Sequence, residues 1–227
     1  MSEQDAVRGE VQVTERSRVR RKRDRGRYDR ATVHAILDDA LIAHVAVVAD
    51  GAPVVLPTTF ARIGGAVYLH GARGNRLLRA LAAGSDACIE VTLLDGIVFA
   101  RSAFNHSMNY RSVVLHGTGS AVEAEDEKRR ALDAVVERMA PGRSRQCRPP
   151  TPEELRATLV VRFPIEEASA KVRDGGAIDE PGDLDLDVWA GVLPLTLAAA
   201  PLAPDARLRD GTGVAPVPPW GRGSGAG

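Results

Sequence analysis

From Ala43 to Gly71 the chain reads AHVAVVADGAPVVLPTTFARIGGAVYLHG, three β-prone apolar runs separated only by Asp50-Gly51 and Gly64-Gly65. Two-residue connections of this chemistry favour tight turns whose twist matches the strands they join. A link that short leaves no room for a crossover helix, so the runs are expected as an antiparallel meander and a parallel, doubly wound sheet is excluded. Further β-runs follow: DACIEVTLLDGIVFAR, broken or bulged at Asp95-Gly96; Tyr110–Val122, a strand pair or one bent strand; and one or two strands in ATLVVRFPIEEASAKVR. Helical periodicity appears over Arg30–Ile42, where Val33, Ile36, Leu37, Ala40 and Leu41 share a face, over Arg76–Ala83, ended by Gly84, and over Glu123–Met139, closed by Pro141-Gly142. The expected class is mainly β: a barrel of six or more antiparallel strands with peripheral helices.

The ends differ from this middle. Residues 16–27, RSRVRRKRDRGR, carry eight basic side chains and one acid, too little apolar content to pack, so residues 1–27 are expected to form a disordered basic arm. Residues 201–227, rich in proline and glycine, read as a flexible tail, which leaves one domain over 28–200. Formal charge is zero, so the bulk surface offers no electrostatic case for nucleic acid or membrane. Cys88 and Cys147 make no disulfide framework, the first residues lack the basic-then-apolar pattern of a signal, and no stretch reaches the roughly 18 apolar residues of a span. A cytoplasmic chain is the expectation.

Chemistry concentrates in three segments. In AVYLHGARGNRLLRAL, a strand ends at His70 and a loop carrying Gly71, Arg73, Asn75 and Arg76 opens a helix, the arrangement in which unpaired N–H groups and the helix dipole hold an anion. An ordinary strand-turn-helix with solvated arginines reads the same stretch equally well. In LPTTFAR, Thr58 and Thr59 can donate to a ligand or pair across strands. In FNHSMNYRSVV, Arg111 stands beside Asn109, Tyr110 and Ser112 at a strand start, where a guanidinium can reach a ligand. His34, His44, His106 and His116 lack the spacing of a zinc site and are read as structural or solvent-facing. The acids of 179–187 miss the glycine and terminal glutamate of a calcium loop, so no metal site is expected.

With YLHGARGNRLLRAL, FNHSMNYRSVVLHGTG and KVRDGGAIDEPGDLDLDVWAGVLPL in order, the chain resembles the pyridoxamine 5'-phosphate oxidase-related FMN-binding split-barrel family, in its flavin-nucleotide-binding branch near the nitroimidazole-resistance proteins, over about residues 27–200. The resemblance implies a homodimer of split β-barrels with FMN in a groove between subunits, its phosphate held by Arg73, Asn75 and Arg76 after Gly71. Leu56, Pro57, Thr58 and Thr59 would line the ring, and Asn109, Tyr110, Arg111 and Ser112 would add polar contacts. His70 matches the histidine beside the substrate in the resistance proteins, which makes it the catalytic candidate. Relatives also bind F420 or haem. The family's C-terminal arginine-tryptophan region is absent, so vitamin B6 oxidation is not implied. The implied function is an FMN-dependent oxidoreductase of a small organic substrate, with NAD(P)H as a possible donor, or a flavin-binding sensor without turnover.

Overall fold

The computed structural model describes residues 9–209 and 211–213. Ten strands and four helices run in the order β1 (Gly26–Arg27), α1 (Arg30–Asp39), β2 (Ile42–Ala49), β3 (Ala52–Ile63), β4 (Ala66–Ala72), α2 (Arg76–Ala82), β5 (Asp86–Phe99), β6 (Ser107–Thr118), β7 (Ser120–Ala121), α3 (Glu125–Met139), α4 (Pro152–Ala157), β8 (Thr158–Pro164), β9 (Glu167–Arg173) and β10 (Gly191–Pro194). The first turn of the meander is as its sequence demands: Asp50 and Gly51 both take positive φ, 53° and 76°, the geometry of a tight hairpin turn.

The strands pair in the order β1-β9-β6-β5-β2-β3-β4-β8-β7, all antiparallel along this path, with β10 added beside β5. The sheet curls on itself because two strands serve both halves. β3 pairs with β2 through residues 52–59 and with β4 through 60–63. β6 turns at Gly117–Gly119 and runs on as β7, which pairs with β8 and so closes the barrel wall. Gly119 must be glycine there, since a Cβ would lie 2.7 Å from the Val161 side chain. The bulge foreseen at Asp95-Gly96 appears as a register shift between Leu94 and Gly96.

Val45, Phe60, Leu69, Ile89, Val113, Leu115 and Phe163 fill the barrel, and Val33, Ile36 and Leu37 of α1 and Leu77, Leu78 and Leu81 of α2 pack against the same core. A smaller cluster of Ala66, Tyr68, Val122, Ala131 and Val160 joins the outside of β4 and β8 to α3. Among the described residues no helix is long and apolar enough to cross a membrane.

The basic arm is the principal correction. Its described part is ordered: β1 pairs with β9 at Gly26↔Lys171 and Arg27↔Ala170, Val11 is buried, and Gln12 N–H donates to Glu166 O at 2.8 Å. Arg16 donates to Glu167 and to Asp86, at 2.8 and 2.7 Å. Charge composition argues against a hydrophobic core, but this segment needs none; it covers an open sheet edge with backbone hydrogen bonds and puts its charges on acids of the sheet rim. The proline-rich loop before β8 also holds α4, started by a Thr151–Glu154 capping box. The tail expected over 201–227 falls largely outside the described residues.

Candidate functional site

The loop after β4 is built as a strand-to-helix corner. Asn75 caps α2, its side chain accepting from Leu78 N–H at 3.1 Å, which commits that side chain to the helix. Arg73 donates its backbone N–H to Ala157 O and a guanidinium N–H to Arg156 O, while Arg76 lies 3.5 Å from Asp50. Both arginine side chains are exposed, and the Arg76 pair is a surface contact of small worth. A Cβ on Gly71 would come within 2.8 Å of Leu78, so the close strand-helix approach depends on that glycine.

Beyond Phe60, β3 leaves β4: Leu56, Pro57, Thr58 and Thr59 pair only with β2, and His70, Gly71 and Ala72 only with β8. The sheet therefore splits between the residues expected to line a ring and those expected to hold a phosphate. Leu56 and Pro57 are exposed, Thr58 and Thr59 partly buried. His70 stands opposite Val160, on the face of Tyr68 and Ala66 that turns toward α3. Its Nδ1 is buried without a hydrogen-bond partner, and burial pulls its pKa below the ordinary histidine value.

The NYRS segment divides. Arg111 is already committed, both arms of its guanidinium meeting Asp95 at 2.9 Å and a third N–H reaching Asp39. It cross-links the end of α1 to the β5 bulge rather than standing open to a ligand. Asn109 is buried and accepts a hydrogen bond from Arg173. Tyr110 and Ser112 sit on the outer face of β6, opposite Arg173 and Lys171 of β9.

That pairing leads to a site the sequence reading missed. Between β6, β9 and the arm lies a cavity of about 590 Å³. Five cations line it: Arg21, Lys22 and Arg25 from the arm, Lys171 and Arg173 from β9. Glu180 is the one carboxylate in the wall. The apolar surface comes from Phe104, His106, Tyr110 and Ile178. A recess of about 260 Å³ adjoins it, sharing Arg25 and Arg173 and continuing to Gly175 and Gly176.

Arg173 is the unusual group. It is 6% exposed, yet its guanidinium donates only to neutral acceptors: the Asn109 side chain, Gly175 O and Gly176 O, the last two at 2.7 Å. Its Nε is buried with no partner. Burial, with Arg25 adding like charge, pulls its pKa below the ordinary arginine value, against a lesser opposing pull from Tyr110 and Asp174. A buried cation without a counter-charge costs several kcal/mol unless something anionic completes it. Lys171 and Arg173 alternate along one strand face, and that i, i+2 spacing was the signal available in SAKVR. The contribution of Arg21–Arg25 had no sequence signal, because the arm's path along β9 is a tertiary fact.

The sequence profile of the pyridoxamine 5'-phosphate oxidase family matches residues 29–172. No curated protein matches the chain. Among solved structures, the flavocytochrome Anf3 from Azotobacter vinelandii is 40% identical over 91% of this chain and 95% of its own, with a TM-score of 0.83. The FAD and haem binding protein from Mycobacterium smegmatis is 39% identical over 86% of this chain and 95% of its own, with a TM-score of 0.80. A protein described as a 5-nitroimidazole antibiotic resistance protein from Bacteroides thetaiotaomicron, 22% identical over 65% of this chain and 86% of its own with a TM-score of 0.55, shares the fold.

Proposed function

The chain belongs to the pyridoxamine 5'-phosphate oxidase family, and from that membership we propose that it is a flavin- and haem-binding oxidoreductase acting on a small organic substrate. The observation that carries the reading is Arg173, a buried guanidinium with no carboxylate among its hydrogen-bond partners, in a cavity that four further cations and one carboxylate line. A cofactor with phosphate or other acidic side groups would be held there by the cations, with Phe104 and Tyr110 as the aromatic part of the wall. The split beside β3 offers a second such place, with Arg73 and Arg76 as exposed anion donors. Two anionic cofactors and two cation-bearing places match what the names of the relatives say of those proteins. We read the flavin as FAD, the flavin named for the Mycobacterium smegmatis relative, in place of the FMN expected from sequence.

When bound, flavin and haem supply two-electron and one-electron chemistry respectively. The protein's own work is then to bind, orient and exclude water. NAD(P)H is our reading of the electron donor, and a second copy of the chain our reading of the partner. The outer sheet face supports the latter, leaving Ile42, Val48, Val55 and Leu94 between 45% and 65% exposed. Cys88 and Cys147 are both unpaired, which favours the reduced cytoplasm.

The absorbance spectrum of the purified protein, before and after heat release of its small molecules, tests the reading. Flavin bands together with a Soret band are the expected result. A colourless protein that takes up neither added FAD nor added haem rejects it.

A further inference from the structure

Resting on the reading of the chain as an oxidoreductase of a small organic substrate, we infer that a cavity between β2, β3 and the end of α3 is the substrate's binding place and takes one uncharged, largely apolar ring. The cavity measures about 230 Å³. Leu41, Ile42, Phe60, Val135 and Met139 make its wall apolar, and Thr59 carries its one hydroxyl. A cavity of about 150 Å³ with such a lining is enough to hold benzene, so this one has room for a single ring with a short substituent. Its place in the fold ties it to the split in the sheet. β3 exchanges its partner between Thr59, paired with Ile42 of β2, and Phe60, paired with Leu69 of β4. The cavity is therefore at the fork of the split, where Thr59 and His70 are the first residues to part.

The class of ligand follows from the charges. Arg138 is the one charged side chain in the wall, and it is already committed. Its Nε donates to Ala40 O at 3.1 Å and its Nη2 to Leu37 O at 2.7 Å, which satisfies carbonyls at the end of α1, and its guanidinium lies 5.3 Å over the Phe60 ring. Asp38 and Asp39 act on the same charge. No group among the lining residues thus calls for an anion, in contrast to Arg173 and its four neighbouring cations. A carboxylate or ammonium placed here would leave water without a partner for its charge, a cost that an uncharged ring does not meet. Phe60 and Val135 are buried and fixed by the core, whereas Ile42 and Met139 are 53% and 47% exposed and form the rim. A methionine there adapts its shape to what enters. Thr59 is left to make the one directed contact, with a carbonyl or similar group on the ring.

The test uses the full chain, with acetophenone and benzoate as probes of nearly equal size that differ in charge. Binding is read by ligand-observed NMR, with flavin content and melting curves recorded separately. Acetophenone is expected to bind and to shift the absorbance of the bound flavin, and benzoate to bind at least about tenfold more weakly. Met139→Trp, which fills the mouth, is expected to weaken acetophenone binding at least about tenfold. Thr59→Val, which removes the hydroxyl at nearly constant shape, is expected to weaken it by about 2- to 12-fold. Lys22→Ala, in the cation-walled cavity, is expected to leave it unchanged. A wild-type protein that binds no acetophenone overturns the inference, as it would if a second copy of the chain covers the cavity. Benzoate binding as tight as acetophenone overturns it too, as do Met139→Trp and Thr59→Val proteins that both bind like wild type. Binding that leaves the flavin spectrum unmoved overturns the substrate role. A chain that takes up no flavin rejects the oxidoreductase reading and the substrate role with it, whereas the other outcomes reject the substrate place alone.

Discussion

Replacing Arg173 by methionine separates a residue kept for stability from one kept for a ligand. The guanidinium is 6% exposed and donates to Asn109, Gly175 O and Gly176 O, with no carboxylate among its partners. Methionine of similar length removes a buried charge that no carboxylate hydrogen-bonds, a change that is often neutral or stabilising. Against this, the Asn109 side chain loses its donor inside the protein, at about 1–3 kcal/mol. The glycine carbonyls belong to an exposed loop, where water replaces the lost donor. The two effects oppose, so the ligand-free R173M protein should differ from wild type by no more than about 2 kcal/mol, roughly 4–8 °C in Tm for a chain of this size. Binding should behave otherwise. One charge-assisted hydrogen bond to a propionate or phosphate is worth about 1.5–3 kcal/mol, a rise in Kd of roughly 10- to 150-fold. Haem and FAD titrated separately into both proteins, with melting curves recorded alongside, read the two quantities independently. Undiminished affinity for both cofactors in R173M refutes the argument that the buried charge waits for an anion. Arg173→Lys keeps the charge but not the fork, and should fall between the two.

Three further outcomes follow from the same structure. Burial lowers the pKa of His34, whose two nitrogens have no partners, so the unfolded chain binds the extra proton first and stability is full above about pH 6.5 and falls on acidification below it; His34→Leu should therefore raise Tm more at pH 5.5 than at pH 7.5, and an equal gain at both would contradict this. The double variant Arg73→Ala, Arg76→Ala should raise the Kd for flavin at least about tenfold in a fluorescence titration, and unchanged retention would remove the loop after β4 from the flavin site. Deleting residues 1–27 exposes the β9 edge and removes buried Val11, which alone is worth about 1.5–3 kcal/mol, so Tm should drop by about 3–12 °C; a drop under one degree would mean that the arm does not dock.

The barrel was legible because its signals are local. Asp50-Gly51 dictates a tight hairpin whatever surrounds it, the Asp95-Gly96 break is a bulge in the β5–β6 ladder, and the apolar spacing of α1 and α3 places each helix to within a few residues. The candidate site was legible only in part. The pairing separates Leu56–Thr59 from His70–Ala72, a division that no local signal announced, and Arg111, chosen as an open guanidinium, is spent on Asp95 and Asp39. Nothing in its neighbours along the chain announces carboxylates that arrive from the β5 bulge and the end of α1.

By itself, then, the sequence determined the antiparallel class, the meander and the apolar faces, since turn chemistry and side-chain periodicity act over a few residues. Only the tertiary structure decided which charges remain free. A run of eight basic residues does not say whether it floats or lies along a sheet edge, because that depends on β9 having an unpaired flank and on Asp86 and Glu167 standing at the rim. Once the arm docks there, Arg21, Lys22 and Arg25 join Lys171 and Arg173 around one cavity, and a charge balance that sums to zero over the whole chain becomes locally and strongly positive. Electrostatics depends on distance in space and on burial, and neither is carried by position along the chain.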